Sequence, residues 1–187
     1  MNIIYHENSK TFHLFNDEIS YIMMVLQNGH LGQLYFGKRI HDREDFSYLV
    51  EVSQRPMGSY VFEGDRTFSL EYLKQEYPVY GSTDYRHPAV EILQSNGSRI
   101  SDFKFQSYMI ESGKPKLDGL PATYTEADSE AETLIIDLRD EVTGIRIQLL
   151  YTIFASGGSI ARSSRIYNEG SEAVHLLQAM SLNLDLP

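Results

Sequence analysis

The residue types best suited to chemistry are concentrated between Glu63 and Ala89, where arginine, aspartate, tyrosine and glycine occur together in a predicted loop. Planar polar groups hydrogen-bond the hydroxyl groups of sugars, and aromatic faces cover their C–H surfaces. The segment therefore suits a ligand-facing arm that binds carbohydrate. A tyrosine-rich loop packed on the edge of a sheet would have the same composition, and composition alone favours that second interpretation.

The acidic residues and the histidines do not define another site. A retaining glycosidase needs two carboxylates about 5–5.5 Å apart, but the chain has 26 acidic residues and none is singled out by its context. His41-Asp42 could hydrogen-bond a ligand, although a salt bridge within a loop is the simpler interpretation. We predict no metal and no cofactor, because the six histidines are scattered without metal-site spacing: His6, His13, His30, His41, His87 and His175.

A period of two dominates the elements that must position this segment. Apolar residues alternate with polar ones at Ile145, Ile147 and Leu149, and again from Met180 to Leu186. Such alternation places one face of a strand in the core and the other toward water. We predict further strands at residues 11–15, 19–26, 31–36, 99–110, 133–138 and 159–167.

Turn-forming residues separate these strands, at Asn28-Gly29, Asn96-Gly97, Thr143-Gly144, Gly157-Gly158 and Asn168-Glu169-Gly170. Many short strands with regular turns predict an all-β fold, an antiparallel β-sandwich. At most a short helix is expected between Phe68 and Leu73, since Pro78 stops it from extending. Residues 41–85 and 111–124 lack strand patterns, and long loops of this kind are usually functional or contact a partner.

Composition narrows the class of protein. The chain has 187 residues, 42% of them hydrophobic, which suits one domain with a sizeable core. Its net charge of −10 argues against a nucleic-acid partner or an anionic membrane surface. The absence of cysteine excludes disulfides and thiolate sites. With no secretory signal pattern at the N-terminus, we expect a cytoplasmic protein.

The alternation near the C-terminus is still running at Leu186, immediately before Pro187. Natural C-termini often fray into polar residues. This pattern predicts that the chain stops inside a longer protein. The alternative is a protein whose last strand is also its end.

One family resemblance covers nearly the whole chain. It is carried by Asp65-Arg66-Thr67-Phe68-Ser69-Leu70, Gln75-Glu76-Tyr77-Pro78, Tyr80-Gly81, Thr83-Asp84-Tyr85-Arg86 and Pro88-Ala89, with a shorter match at Gly119-Leu120-Pro121. In this order and spacing, the chain resembles the N-terminal domain of bacterial glycoside hydrolase family 36 α-galactosidases.

The resemblance implies a fold and a context. It implies that residues 1–187 form a large twisted β-sandwich, or supersandwich, and that a catalytic (β/α)8 barrel follows Pro187. In the family that barrel holds the nucleophile and acid/base aspartates, and it hydrolyses terminal α-1,6-galactosides such as melibiose and raffinose with retention. The resemblance therefore implies no catalytic residue within this chain and no activity of the chain alone.

The resemblance also implies a supporting role for this domain. Similar enzymes form tetramers in which a loop of the domain reaches a neighbour's active site, and the matching residue here is Arg66. Glu51 is a weaker match to an acidic partner residue, because the stretch from Tyr48 to Glu63 differs from relatives in length and composition. Phe36 stands where relatives often have tryptophan, and we expect it in the core, with a subunit contact as the alternative. Two alternatives are a stand-alone carbohydrate-binding or lectin-like module and a purely structural oligomerisation domain.

Overall fold

The computed structural model describes residues 1–54, 56–119 and 123–186. The matches predicted at Leu120-Pro121 and the boundary predicted at Pro187 lie outside them. The described residues contain ten strands: β1 (Asn2–His6), β2 (Thr11–Phe15), β3 (Ile19–Val25), β4 (Leu31–Lys38), β5 (Val90–Leu93), β6 (Lys104–Ser112), β7 (Ala131–Asp140), β8 (Ile145–Phe154), β9 (Ile160–Asn168) and β10 (His175–Ala179). Short 3-10 helices occupy Ser47–Leu49 and Asp128–Glu130.

The strands form two antiparallel meanders and a small third sheet. One four-stranded sheet has the order β1-β2-β3-β4, the other has the order β6-β7-β8-β9, and β5 pairs with β10. Every pairing between these strands is antiparallel. Consecutive strands are neighbours in both larger sheets, as short hairpin connections favour.

A common hydrophobic core joins the two larger sheets. Phe12 and Tyr21 of the first sheet and Ile136 and Ile147 of the second belong to one cluster of buried side chains, to which Ile92 of β5 also belongs. Burial of each aliphatic side chain of this kind contributes about 1.5–3 kcal/mol. Phe36 packs against the same cluster, with its ring 5.6 Å from that of Tyr21. The predicted all-β sandwich is confirmed. Phe36 is half-buried at the edge of the core rather than inside it.

Several strand predictions need correction. The predicted strand at residues 99–110 begins only at Lys104, because Gln94 and Ser98 hold the preceding turn at Ile100. Strands β1 and β5 were not expected. The alternation from Met180 to Leu186 does not form a strand, since that segment is held by side-chain bonds rather than by a ladder.

The expected short helix between Phe68 and Leu73 is a turn. The amide of Leu73 donates to the carbonyl of Ser69 at 3.2 Å, but no helix follows. No strand lies between β4 and β5 in the described residues, as predicted for this stretch. No helix within the described ranges is long and apolar enough to cross a membrane.

Candidate functional site

Arg66 lies near the tip of a self-contained loop, residues 61–68, which we call the Arg66 loop. The amide of Val61 donates to the carbonyl of Phe68 at 3.3 Å, and the rings of Phe62 and Phe68 lie 5.2 Å apart. Gly64 adopts a φ of 83°, which residues with a Cβ adopt only under strain. These contacts close the loop at its base.

Asp65 fixes the backbone on the far side of Arg66. Its Oδ1 atom accepts hydrogen bonds from the amide and the hydroxyl of Thr67, both at 2.7 Å. These bonds favour the charged carboxylate and lower the pKa of Asp65. The local Asp-Arg-Thr sequence thus forms a turn through an aspartate side chain. It leaves Arg66 at the surface.

The guanidinium of Arg66 is accessible. Arg66 is exposed, and it has no hydrogen-bond or ion-pair partner among the residues that the structure describes. With Gln54, Pro56, Met57 and Tyr60 it lines an open pocket of about 550 Å³. An arginine with free donors can hold sugar hydroxyls or orient a carboxylate. The geometry is thus compatible with ligand contact.

Glu51 does not lie in the same pocket as Arg66. It is exposed, and its carboxylate lies 3.8 Å from the Nζ atom of Lys74. It lines a separate small depression with Gly32, Leu73 and other residues. The structure therefore brings Arg66 and Glu51 into different depressions of this chain, and a shared role for them remains a prediction.

The segment from residue 65 to residue 89 is not one exposed arm. Its middle part is buried, because Gln75 forms an antiparallel bridge with Gly32 beside the edge strand β4. The amide of Glu76 donates to the carbonyl of Leu31 at 2.9 Å. This middle part fits the alternative interpretation, a loop packed on a sheet edge. The most exposed residues of the segment lie toward its two ends, within residues 66–67 and 80–87.

The second exposed end forms another pocket. Tyr80 and Tyr85 are 42% and 83% exposed, and they line an open pocket of about 590 Å³ together with Arg86 and Ile100. Thr83, in the same pocket, has a φ of 64°. Positive φ at a residue with a branched Cβ is strained. The aromatic rings provide the kind of surface that sequence composition predicted.

Glu76 is the acid that the local sequence did not reveal. It is fully buried, and its oxygens accept hydrogen bonds from the hydroxyls of Tyr21 and Tyr151, each at 2.8 Å. Burial raises its pKa, while the nearby Arg162 opposes that shift. A raised pKa can mark a catalytic acid, but this carboxylate has no access to solvent. Glu76 is therefore a structural residue of the core.

Asp42 contacts histidines, but those of strands β1 and β2 rather than a partner within its own loop as expected. The Oδ1 atom of Asp42 lies 2.7 Å from Nδ1 of His13 and 3.0 Å from Nε2 of His6. Glu44 lies on the other side of the His6 ring, at 3.2 Å. These contacts bind residues 42–44 to strands β1 and β2. Among the described residues, no group of three or more histidine or acidic side chains is arranged to hold a metal ion.

Arg86 holds the turn that follows the Arg66 loop through a hydrogen bond to its backbone. We call residues 69–73 the base turn, in which Ser69, Leu70 and Leu73 are buried. The Nη2 atom of Arg86 donates to the carbonyl of Leu73 at 2.6 Å. Arg86 stands in a family motif of the sequence, but this contact could not be predicted there, because it depends on residues brought together only by the fold.

The fold and the exposed arginine define an all-β sandwich domain that displays a polar loop. Residues 29–187 match the family described as the Glycosyl hydrolase family 36 N-terminal domain. The chain belongs to this family, as the sequence resemblance implied.

Relatives agree with this assignment. Alpha-galactosidase AgaA of Geobacillus stearothermophilus is 40% identical over 187 residues, which are 100% of this chain and 26% of AgaA. The crystal structure of the α-galactosidase from Lactobacillus brevis has a TM-score of 0.94 at 36% identity, covering 98% of this chain and 25% of that one. An AgaA variant in complex with raffinose has a TM-score of 0.87 at 41% identity, covering 92% and 24%. The chain spans about a quarter of the length of such relatives.

Proposed function

We propose that this chain is the N-terminal domain of a longer cytoplasmic α-galactosidase. The longer enzyme hydrolyses terminal α-1,6-galactosides of the melibiose and raffinose type with retention of configuration. Its catalytic carboxylates lie in a barrel outside this chain. The main support is the match to AgaA over the full length of this chain, together with the raffinose complex of an AgaA variant.

Within that enzyme, we assign the domain two tasks. It supports assembly into a homotetramer, and it presents Arg66 to the substrate pocket of a neighbouring subunit. The exposed, unpartnered guanidinium of Arg66 supports this second task, because its donors are free to meet hydroxyls. Glu51 is a weaker candidate for the same pocket. Glu51 and Arg66 lie in different depressions of one chain, and they can still meet one substrate pocket if that pocket belongs to a neighbouring subunit.

Activity of the longer protein tests the proposal. The full-length enzyme should hydrolyse p-nitrophenyl α-galactoside, whereas the 187-residue chain should not. Product analysis by NMR should show retention of the anomeric configuration. Sedimentation of the full-length enzyme should give a tetramer. A full-length protein that ignores the substrate would refute the assignment.

A stand-alone carbohydrate-binding module is the second candidate. The exposed rings of Tyr80 and Tyr85 favour it, because aromatic surfaces beside polar groups suit sugar binding. Titration calorimetry of the 187-residue chain with galactose and raffinose separates the two proposals. The α-galactosidase proposal expects little heat from the isolated chain. Clear saturable binding that is lost in Tyr85→Ala would favour the module.

A further inference from the structure

The position of Arg66 depends on the backbone that carries it. Its side chain makes no hydrogen bond or ion pair with the described residues, so no neighbouring group in them holds the guanidinium. A free arginine keeps considerable rotamer entropy, about 2 kcal/mol. Within this chain, the placement of Arg66 therefore depends on the backbone of the Arg66 loop and of the base turn that follows it.

The base turn is held at the carbonyl group of Leu73. The Nη2 atom of Arg86 lies 2.6 Å from the carbonyl oxygen of Leu73, and a longer contact of 3.5 Å reaches that of Leu70. Hydrogen bonds from a charged donor are roughly twice as strong as neutral ones. A single charged side chain thus holds the base turn at Leu73, its last residue.

Asp84 fixes the orientation of Arg86. The Nε and Nη2 atoms of Arg86 donate to the two carboxylate oxygens of Asp84, each at 2.8 Å. The Asp84 side chain is only 1% exposed. It also accepts a hydrogen bond from Nε2 of the buried Gln75 at 2.8 Å. The two-point geometry of this pair leaves the arginine fork little rotational freedom.

The remaining donor of Arg86 reaches a distant part of the chain. Its Nη1 atom donates to Oδ2 of Asp185 at 2.9 Å. The backbone near Asp185 is held to Gln33, whose Oε1 atom accepts the Asp185 amide at 2.9 Å. Arg86 therefore connects the base turn with the segment that follows strand β10.

We propose that Arg86 is a positioning residue for Arg66, acting through the Leu73 carbonyl of the base turn. This inference rests on the proposed function, in which Arg66 meets the substrate. Lysine at position 86 keeps the charge but loses the fork that contacts Asp84, Asp185 and the base turn together. Arg86→Lys should therefore displace Arg66 without removing it. Misplacement by about 1 Å can reduce rates up to about 100-fold.

A double-mutant cycle in the full-length enzyme tests this. Arg86→Lys is measured with Arg66 present and in the Arg66→Ala background, using p-nitrophenyl α-galactoside. We expect kcat/KM to fall about 3–30-fold when Arg66 is present and less than about 2-fold when it is absent, because coupled residues are not additive. Asp185→Asn, a milder change, should show the same coupling with a smaller effect. Arg139→Lys is the control, since Arg139 lies in strand β7 and pairs with Glu169, which follows strand β9.

Each outcome decides the inference. Loss of activity only in the presence of Arg66 supports it, and an equal loss in both backgrounds, or no loss in either, overturns it. Thermal unfolding checks that each variant is folded. If Arg86→Lys does not fold, the same double-mutant cycle with Asp185→Asn decides the inference. If Arg66→Ala alone leaves kcat/KM unchanged, the proposed role of Arg66 fails as well, which separates the two failures.

Discussion

The guanidinium of Arg162 lies over the ring of Tyr151, 3.7 Å from its centroid, inside the core between the sheets. Its Nη2 atom is 3.4 Å from Oε1 of Glu76. None of its three nitrogens has a hydrogen-bond partner among the described residues. The core therefore encloses a charge pair that depends on proximity and on an aromatic face rather than on hydrogen bonds.

We expect Glu76→Gln to be strongly destabilising. It leaves Arg162 buried without a counter-charge, and breaking a buried pair in this way costs about 3–5 kcal/mol. Urea unfolding of the 187-residue chain measures the change. Glu141→Gln is the matched control, because the Glu141 side chain is 77% exposed and its loss should change the unfolding free energy by less than about 0.5 kcal/mol.

The double variant Glu76→Gln/Arg162→Met should recover part of that loss. Replacing both members of a buried pair is often close to neutral, because no charge remains to be desolvated. We expect the double variant to be more stable than Glu76→Gln alone by at least about 1 kcal/mol. Additive losses from the two changes would show that Arg162 and Glu76 do not act as a pair.

Arg66→Ala in the full-length enzyme should lower kcat/KM about 10–100-fold. This range corresponds to the loss of hydrogen bonds from a charged donor, about 1.5–3 kcal/mol. Thermal unfolding should be unchanged, since Arg66 is exposed and unpartnered among the described residues. The kcat/KM of Arg66→Lys should lie between those of the unchanged enzyme and Arg66→Ala, because lysine keeps the charge but not the planar guanidinium. Unaltered kinetics in Arg66→Ala would remove this residue from the substrate pocket.

Stability should fall at acidic pH through Asp102. Its carboxylate accepts a hydrogen bond from His30 at 2.7 Å and lies 3.1 Å from Nζ of Lys104. The His30 bond, above all, lowers the pKa of Asp102 from 3.8 to about 2. A carboxyl with a lowered folded-state pKa stabilises the fold above its ordinary pKa, and that contribution is lost as pH falls from 3.8 toward 2.

The Asp102→Asn variant isolates this effect. We expect its unfolding free energy to depend less on pH between about 4 and 2 than that of the original chain, as followed by urea titration at each pH. The Asp102 side chain is 52% exposed, so solvent screening keeps the difference small. Asp17→Asn, at an exposed aspartate of the β2–β3 turn, should leave the slope unchanged. Equal slopes for all three proteins would contradict the prediction.

Ile147→Ala should destabilise the domain by about 2–5 kcal/mol. Ile147 is fully buried in the shared core of the two larger sheets, and its truncation leaves a cavity. Val142→Ala provides the contrast, because Val142 is 92% exposed in the β7–β8 turn. Chemical unfolding compares the two. Similar losses at both positions would mean that residue 147 does not contribute to a packed core.

The sequence was most informative where a single strand determines the pattern. The alternation at Ile145, Ile147 and Leu149 predicted one side of β8 correctly, because a strand shows its burial in its own residues. The same rule failed from Met180 to Leu186. There the Asp185 amide donates to the Gln33 side chain, and the Asn183 side chain donates to the Gln75 carbonyl, contacts that local alternation does not reveal.

The candidate site was predictable only in part. Arg66 could be identified by its resemblance to a family motif, and its exposure agrees with that interpretation. The burial of Glu76 and the contacts of Arg86 were not predictable, because they join segments that are far apart in sequence. In the sequence, Glu76 and Arg86 share only one feature: both are polar residues in a stretch without strand periodicity. That signal is shared by many solvated loops.

The hydrogen bonds around Asp185 determine what a truncation of the chain after its last strand would remove. Regular strand structure ends at Ala179 in β10, and a domain excised at that point would look complete by secondary structure alone. It would nevertheless leave Arg86 and Gln33 without their contacts to Asp185. It would also deprive the Gln75 carbonyl of the Asn183 amide. The hydrogen-bonded framework of the sandwich therefore extends past its last strand to Asp185.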